Sequence, residues 1–281
     1  ANPLVRALVQ AGSIDCGIAG GCEVMSHVGL GANMQNGPGF FIPSEGWNWE
    51  MSMSQFEAAD RIAKNREISR EEIDQWGLRS QTLAAQARDE GRFEREVAPL
   101  AGIEVDEGPR RGGSIQKMAQ LPPLVEGGRI TAALASQVSD GAAAILVASE
   151  KAIADHGLTP RARIHHISVR GDDPIYMLSG PIAATTYALE KSGMSIDEID
   201  LFECNEAFAP VPIAWMAEHN VPHEKVNVNG GAIALGHPLG CSGAKLMTTL
   251  LNELERTGGR YGLQTMCEGG GQANVTILER L

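Results

Sequence analysis

Aromatic residues are scarce, with Phe, Tyr and Trp together only 5% of 281 residues. No row of rings is therefore available for stacking nucleic-acid bases. Positive charge is scarce as well: 23 Lys and Arg stand against 35 Asp and Glu, for a formal net charge of −12. Nucleic acid and anionic membrane surfaces both require a net basic face, so neither is expected as a partner. No uninterrupted apolar run is long enough to span a bilayer. The 5 cysteines, Cys16, Cys22, Cys204, Cys241 and Cys267, include no C-x-x-C pair. That spacing suits neither a disulfide framework nor a zinc knuckle, so no metal site is expected and a reduced, cytoplasmic compartment fits best. Glycine, by contrast, is abundant at 33 residues.

The hydrophobic pattern is that of an α/β chain. Leu4 to Gly12 reads as the end of a helix closed by glycine. Ile14–Val24 is a small-residue apolar run, expected as a central parallel strand covered on both faces. Met25 to about Gly46 is broken by Gly, Asn and Pro into loop. Helices are expected over Ser54–Asn65 and, after the capping box Ser69-Arg-Glu-Glu72, over Glu71–Gly91. Residues 97–131 are polar and loop-like. Ser139–Ser149 reads as a second buried strand followed by a helix to about His156. From Ala162 the pattern alternates regularly: strand Arg163–Val169, helix Gly180–Ser192, strand Ile199–Glu203, helix Pro210–His219. It continues through an extended glycine-rich segment, Lys225–Ala234, and a helix Ser242–Thr257 starting at a Ser N-cap. Strands Tyr261–Cys267 and Ala273–Glu279 close a βαβαβαββ unit. The first part of the chain offers only two strands of a similar sheet, too few to bury a core. Further strands are expected upstream of Ala1.

Glycine-rich or polar loops follow three predicted strands, where open α/β sheets place their ligands. They are Asn205-Glu-Ala-Phe208, the run from Gly230 to Gly243, and Cys267-Glu-Gly-Gly-Gly271. None fits a G-x-G-x-x-G dinucleotide loop, a G-x-x-x-x-G-K phosphate loop or a G-x-S-x-G nucleophile elbow. What the loops hold is an Asn, a His and a Cys. His237 can shuttle a proton, Asn205 can hold a water or an oxyanion, and Cys267 can act as a nucleophile or an acid–base group. Each alone has a plainer reading as a turn Asn, a buried His or a core thiol. Their convergence at adjacent strand ends outweighs those readings.

These three segments, with Gly12-Ser-Ile-Asp15, Ala19-Gly-Gly-Cys-Glu-Val-Met-Ser26 and Ala135-Ser-Gln-Val-Ser-Asp-Gly-Ala-Ala143, resemble the signatures of the thiolase family. The resemblance covers essentially the whole chain. It implies an acyltransferase, of the acetyl-CoA acyltransferase or acetyltransferase type, that cleaves a 3-oxoacyl-CoA with CoA or runs the reverse Claisen condensation. Fatty acid β-oxidation is the corresponding setting in lipid metabolism. The implied fold is a layered α/β thiolase fold with two similar five-stranded βαβαβαββ halves. Residues 1–27 and 132–159 would be the remnant of the first half, 28–131 an inserted loop domain and 160–281 the second half. No cofactor is implied, since CoA is a substrate. The implied partners are acyl-CoA, CoA and further copies of the chain in a homodimer or homotetramer.

By the same resemblance Cys267 is the acid–base cysteine. His237 activates the nucleophile and, with Asn205 holding a water, forms one oxyanion hole. The Gly269 N–H contributes half of a second. Arg110 would meet the adenine and phosphate end of CoA, Ser136 the pantetheine, and Met177, Ala207 and Phe208 the same tunnel. Arg110 could equally be a solvated charge and Met177 a core residue. Ile42, Trp47, Trp49 and Met51 could floor a large or ring-bearing acyl pocket or simply pack their own loop. The family carries its acyl-accepting cysteine shortly before the Gly-Ser-Ile-Asp turn, which here lies before Ala1. The expectation is a chain that lacks its N-terminal segment and is inactive as it stands. The alternative is a non-catalytic thiolase-like subunit that binds acyl-CoA or a partner chain.

Overall fold

A computed structural model describes residues 1–32, 35 and 54–281. Ile42, Trp47, Trp49 and Met51 lie outside the described residues. Helix α1 (Asn2–Gln10) ends at Gly12, whose φ of +72° supplies the left-handed turn into β1 (Cys16–Val24). Helix α2 (Gln55–Asn65) starts at Ser54, whose side chain accepts from the Glu57 N–H. Helix α3 (Arg70–Asp89) opens on the expected capping box between Ser69 and Glu72. A short α4 (Ile115–Ala119) interrupts the polar stretch that follows. Strand β2 (Asp140–Ala148) leads into α5 (Glu150–His156), capped by Ser149 and closed by Gly157 at φ +61°.

Strand β1 departs from expectation. It runs antiparallel to β2 from Cys16↔Ala148 to Val24↔Asp140 in a two-stranded sheet, and is not a parallel strand covered on both faces. Ile18 is 73% exposed and Leu146 54% exposed. The Gly- and Ala-rich sequence of β1 has no clear polar–apolar alternation, so its pattern carries neither strand direction nor the difference between its faces.

The remaining elements form the larger body. They are β3 (Ala162–Gly171), α6 (Gly180–Ser192), β4 (Leu201–Cys204), α7 (Pro210–His219), α8 (Ala232–Leu235), α9 (Ser242–Thr257), β5 (Tyr261–Glu268) and β6 (Gln272–Arg280). The sheet order is β3-β6-β5-β4, antiparallel except for the parallel pair β5 and β4. The expected strand over Lys225–Ala234 does not form. Val226 makes one parallel bridge with Phe202, and the Asn227 N–H donates to the Phe202 carbonyl at 2.9 Å. The chain thus takes the fifth position beside β4 for a single bridge. Asn227 (φ +47°) then turns it away toward α8.

Both faces of this sheet are covered, as near-continuous apolar strands require. Leu263, Val275 and Ile277 are fully buried with Phe202, Trp215 and Ala184 on the α6 and α7 side. On the other face Met247, Leu250 and Leu254 of α9 pack with Leu278. Helix α9 also contacts β1 and β2, so it lies between the two sheets. That placement puts its N-terminus, and the loop before it, beside the C-terminal end of β4.

Candidate active site

The site grows out of the end of β4. The Asn205 N–H extends the parallel ladder by donating to the Thr265 carbonyl at 3.0 Å. The next residue, Glu206, is fully buried and accepts from Trp76 Nε1 (3.0 Å), Ser80 Oγ (2.6 Å), Asn227 Nδ2 (3.1 Å) and the Ile233 N–H (3.2 Å). One carboxylate therefore joins α3, the 205–208 segment, the turn at Asn227 and α8. Burial raises the Glu206 pKa, and these hydrogen bonds pull against that rise.

The loop carrying His237 is held from its backbone. At Gly236 (φ +81°) a Cβ would lie 2.0 Å from Ser139 Oγ, so only glycine fits. The His237 N–H donates to the Gln137 carbonyl at 3.1 Å. Gln137 Nε2 in turn lies 3.0 Å from the carbonyls of Gly108, Ile233 and Ala234. On the imidazole, Nε2 is 3.3 Å from Asn205 Nδ2 and Nδ1 is 2.6 Å from Ser242 Oγ. Ser242 Oγ donates to the Pro238 carbonyl at 2.8 Å. With its single proton spent there, Oγ accepts from Nδ1–H. Nε2 is then the bare nitrogen, accepting from Asn205 Nδ2–H. Burial, helped by the nearby Lys245 charge, lowers the His237 pKa to about 4, so the ring is neutral near pH 7.

Ser242 corrects a sequence expectation: it is not the N-cap of α9. Cys241 holds that position without a side-chain cap, and the Ser242 hydroxyl is turned to Pro238 and His237 instead. The competing hydrogen bonds lie in the bend before the helix, which a capping pattern does not register.

Cys267 lies near the end of β5, paired in register with Ala273. Burial of the thiol pushes its pKa up to about 12, so at neutral pH it carries its proton. Gly269 follows at the exposed β5–β6 turn, where its carbonyl accepts from Gln272 Nε2 at 3.2 Å. The Gly271 carbonyl accepts from the Asp172 N–H at 2.7 Å, which ties this turn to the segment leading to Met177. Met177 is fully buried at φ +52°.

Ser136, Ala207 and Phe208 are also brought together. Ala135 bridges Phe208, the Ser136 N–H donates to the Ala207 carbonyl at 3.0 Å, and the Ala209 N–H donates to the Leu134 carbonyl at 2.9 Å. Arg110 stands apart on the loop before α4. Its N–H donates to Gln81 Oε1 at 2.7 Å and its side chain is exposed, whereas neighbouring Arg111 pairs with Asp89. Among the described residues no group of three His, Cys, Asp or Glu side chains is placed to hold a metal, and no helix is long and apolar enough to cross a membrane.

The sequence reading missed three supporting residues: Glu206, Gln137 and Ser242. Glu206 and Gln137 sit inside quoted motifs, which was the available signal. For Ser242 the signal was a hydroxyl five positions after His237.

Comparison with known proteins agrees with this architecture. The thiolase N-terminal domain model matches residues 4–151, and the thiolase C-terminal domain model matches residues 158–280. A steroid 3-ketoacyl-CoA thiolase of Mycobacterium tuberculosis is 55% identical over 97% of this chain and 70% of its own length. A 3-ketoacyl-CoA thiolase of Marinobacter nauticus is 39% identical over 97% of this chain and 72% of its own. The crystal structure of human mitochondrial 3-ketoacyl-CoA thiolase in complex with CoA superposes with a TM-score of 0.88 at 35% identity, covering 100% of this chain and 75% of that one. With both family domains matched and the layered α/β fold shared, the chain belongs to the thiolase family.

Proposed function

We propose that this chain performs the acid–base and oxyanion steps of 3-oxoacyl-CoA thiolysis by CoA. The observation that carries the proposal is the His237 ring, with its Nδ1 proton fixed by Ser242 and its bare Nε2 beside Asn205 Nδ2. A bare Nε2 is a base for the acyl-accepting thiol. Once it has taken that proton, its N–H and the Asn205 amide can face the thioester oxygen as charge develops there. Cleavage of the Cα–Cβ bond leaves an acetyl-CoA carbanion, and the protonated Cys267 thiol is the acid that quenches it. The resulting thiolate takes the proton of incoming CoA, which restores Cys267. The CoA sulfur then attacks the acyl carbon and expels the acyl-accepting sulfur, which recovers its proton from His237. The Gly269 N–H is assigned to the second oxyanion hole. None of the 5 cysteines is assigned the acyl-accepting role.

Arg110 at the mouth and Ser136, Met177, Ala207 and Phe208 along the tunnel are proposed to receive CoA. The division into residues 1–27 with 132–159, 28–131 and 160–281 belongs to the same reading. So does a cytoplasmic homodimer or homotetramer, in which a second copy covers the exposed face around Ile18 and Leu146. The name of the Mycobacterium tuberculosis relative supports a ring-bearing acyl group, and a panel of linear and ring-bearing 3-oxoacyl-CoA substrates tests that choice. The site itself is tested by His237→Ala in the full-length chain. Thiolysis should fall by about two or more orders of magnitude, and turnover near the parent value would refute the assignment.

A further inference from the structure

Behind the Asn205–His237 pair, between β4 and α9, lies a cavity with about 10 Å³ for the centre of a water molecule, room for one. Glu203, Asn205, Ser242, Lys245 and Thr249 contribute its polar wall. Glu203 is 3% exposed and makes no direct ion pair with Lys245 among the described residues. Asn205 is 2% exposed, and its Oδ1 is buried without a protein hydrogen-bond partner. A buried amide oxygen without a donor costs about 1–3 kcal/mol.

The orientation of this amide matters. Asn205 must turn Nδ2 toward His237, because Ser242 has already fixed the imidazole proton on Nδ1. Its other end is then an acceptor that needs a donor. The wall offers the Lys245 ammonium and the Glu203 carboxyl, whose pKa burial raises against the pull of the Lys245 charge.

We propose that Glu203 and Lys245 are positioning residues that hold a single buried water against Asn205 Oδ1 and thereby fix the face the Asn205 amide presents to His237. This water lies on the side of Asn205 away from the thioester and touches no substrate. The inference deepens the thiolase reading and rests on it. With the water in place a flipped Asn205 would turn its oxygen onto the bare Nε2, two acceptors face to face, while Nδ2 left its place in the oxyanion hole. With the water lost, only the Nδ2···Nε2 contact still opposes the flip, and the flipped state becomes more populated.

The test compares Glu203→Leu, Glu203→Gln and Lys245→Met with the parent enzyme in steady-state thiolysis, each in the full-length chain, with His237→Ala as a reference and the His237 ring ¹⁵N shifts as a second readout. Glu203→Leu and Lys245→Met should lower kcat about 10- to 100-fold, the scale of a misplaced reacting group, with KM for the 3-oxoacyl-CoA within about three-fold. Glu203→Gln, which keeps hydrogen-bonding capacity, should retain most of kcat. The Nε2 resonance should shift in Glu203→Leu and stay in place in Glu203→Gln. Parent kcat in folded Glu203→Leu and Lys245→Met, or equal impairment of Glu203→Gln and Glu203→Leu, would overturn the inference. Should Glu203→Leu fail to fold, Lys245→Met tests the same water from the opposite wall. If these variants are silent while His237→Ala is impaired, only this inference fails. If His237→Ala is also silent, the thiolase reading fails with it.

Discussion

His237 Nδ1 lies 2.6 Å from Ser242 Oγ, and the hydroxyl passes its own proton to the Pro238 carbonyl at 2.8 Å. This chain leaves Nε2 as the unprotonated imidazole nitrogen. Ser242→Ala removes the acceptor that holds the proton on Nδ1, so the ring can carry it on Nε2 and present N–H to the incoming thiol. A fixed wrong tautomer costs about four orders of magnitude in serine proteases. Here both tautomers stay accessible, so a kcat loss of about 10- to 100-fold is expected. The fold should survive, since Ser242 does not cap α9. Thiolysis kinetics beside a thermal melt check this, and an unchanged kcat would remove Ser242 from the site.

The protonation states of His237 and Cys267 make a second prediction. His237 titrates at about 4 and Cys267 at about 12. The active forms, neutral imidazole and protonated thiol, should therefore coexist across the physiological range. NMR titration should find no protonation of His237 between pH 8 and about 5.5, well above its folded pKa. Iodoacetamide at pH 8 should modify Cys267 far more slowly than free cysteine, because a thiol with so high a pKa carries few thiolates. Preferential labelling of Cys267 would show its pKa to be depressed instead, and would recast it as a resting nucleophile.

Much of this was legible before the structure. Helices α6 and α7 have the boundaries read from the sequence, and α3 starts after the capping box its motif declared. These features are local: a cap, a periodic apolar face, a closing glycine. Asn205 and His237 were also read as one group, because both sit in loops that follow strands expected from the sequence. What the sequence concealed was long-range. The antiparallel pairing of β1 with β2 joins residues more than a hundred positions apart, and small side chains on β1 leave no alternation to betray it. The Lys225–Ala234 segment has strand composition, yet Asn227 bends away because its side chain clamps the Cys204 backbone, with Oδ1 accepting from N–H at 2.9 Å and Nδ2 donating to the carbonyl at 2.8 Å. Glu206 could not be recognised as a hub, since its donors Trp76 and Ser80 lie on a distant helix.

That hub supports a third prediction. Glu206→Leu would strand the Trp76, Ser80, Asn227 and Ile233 donors in a fully buried place. Each buried donor left without an acceptor costs about 1–3 kcal/mol, so with partial relaxation of the four a total of about 3–5 kcal/mol is expected. Denaturant unfolding should show a loss of that size. Glu206→Gln, isosteric but able to accept with one oxygen only, should lose less. A loss below about 1 kcal/mol in Glu206→Leu would mean that α3 is held by its apolar contacts and not by this carboxylate.

Gly21 gives a fourth. A Cβ there would lie 2.1 Å from the Gly240 carbonyl oxygen, backbone that cannot swing aside as a side chain does. Gly21→Ala should push β1 away from the loop that carries His237 and Ser242. A displacement of about 1 Å at a reacting group costs about 100-fold in rate, so activity should fall more steeply than stability. Comparing kcat/KM with the melting temperature checks this, and a variant with parent activity would show that the loop is positioned by Gln137 and Glu206 alone.

The last prediction concerns acid. Glu255 on α9 accepts from Arg161 Nε and Nη2, both at 2.9 Å, and from Arg95 Nη1 at 2.7 Å. The Arg161 hydrogen bonds lead the causes that lower its pKa from 4.5 to about 2. A carboxylate with a depressed folded pKa binds fewer protons in the folded state than in the unfolded state. Its stabilisation is present above pH 4.5 and is lost as pH falls toward about 2. His237 acts in the same direction over a different window: its pKa drops from 6.5 unfolded to about 4 folded, so acid favours the unfolded chain as pH falls through that range. Glu255→Gln should therefore flatten the stability curve below pH 4.5 and leave the His237 window intact. The Arg pairs are partly solvated, which limits the Glu255 contribution to about 1 kcal/mol. Urea unfolding of the parent and the variant from pH 7 to 3 separates the two windows. Parallel curves would place the acid sensitivity in other carboxylates.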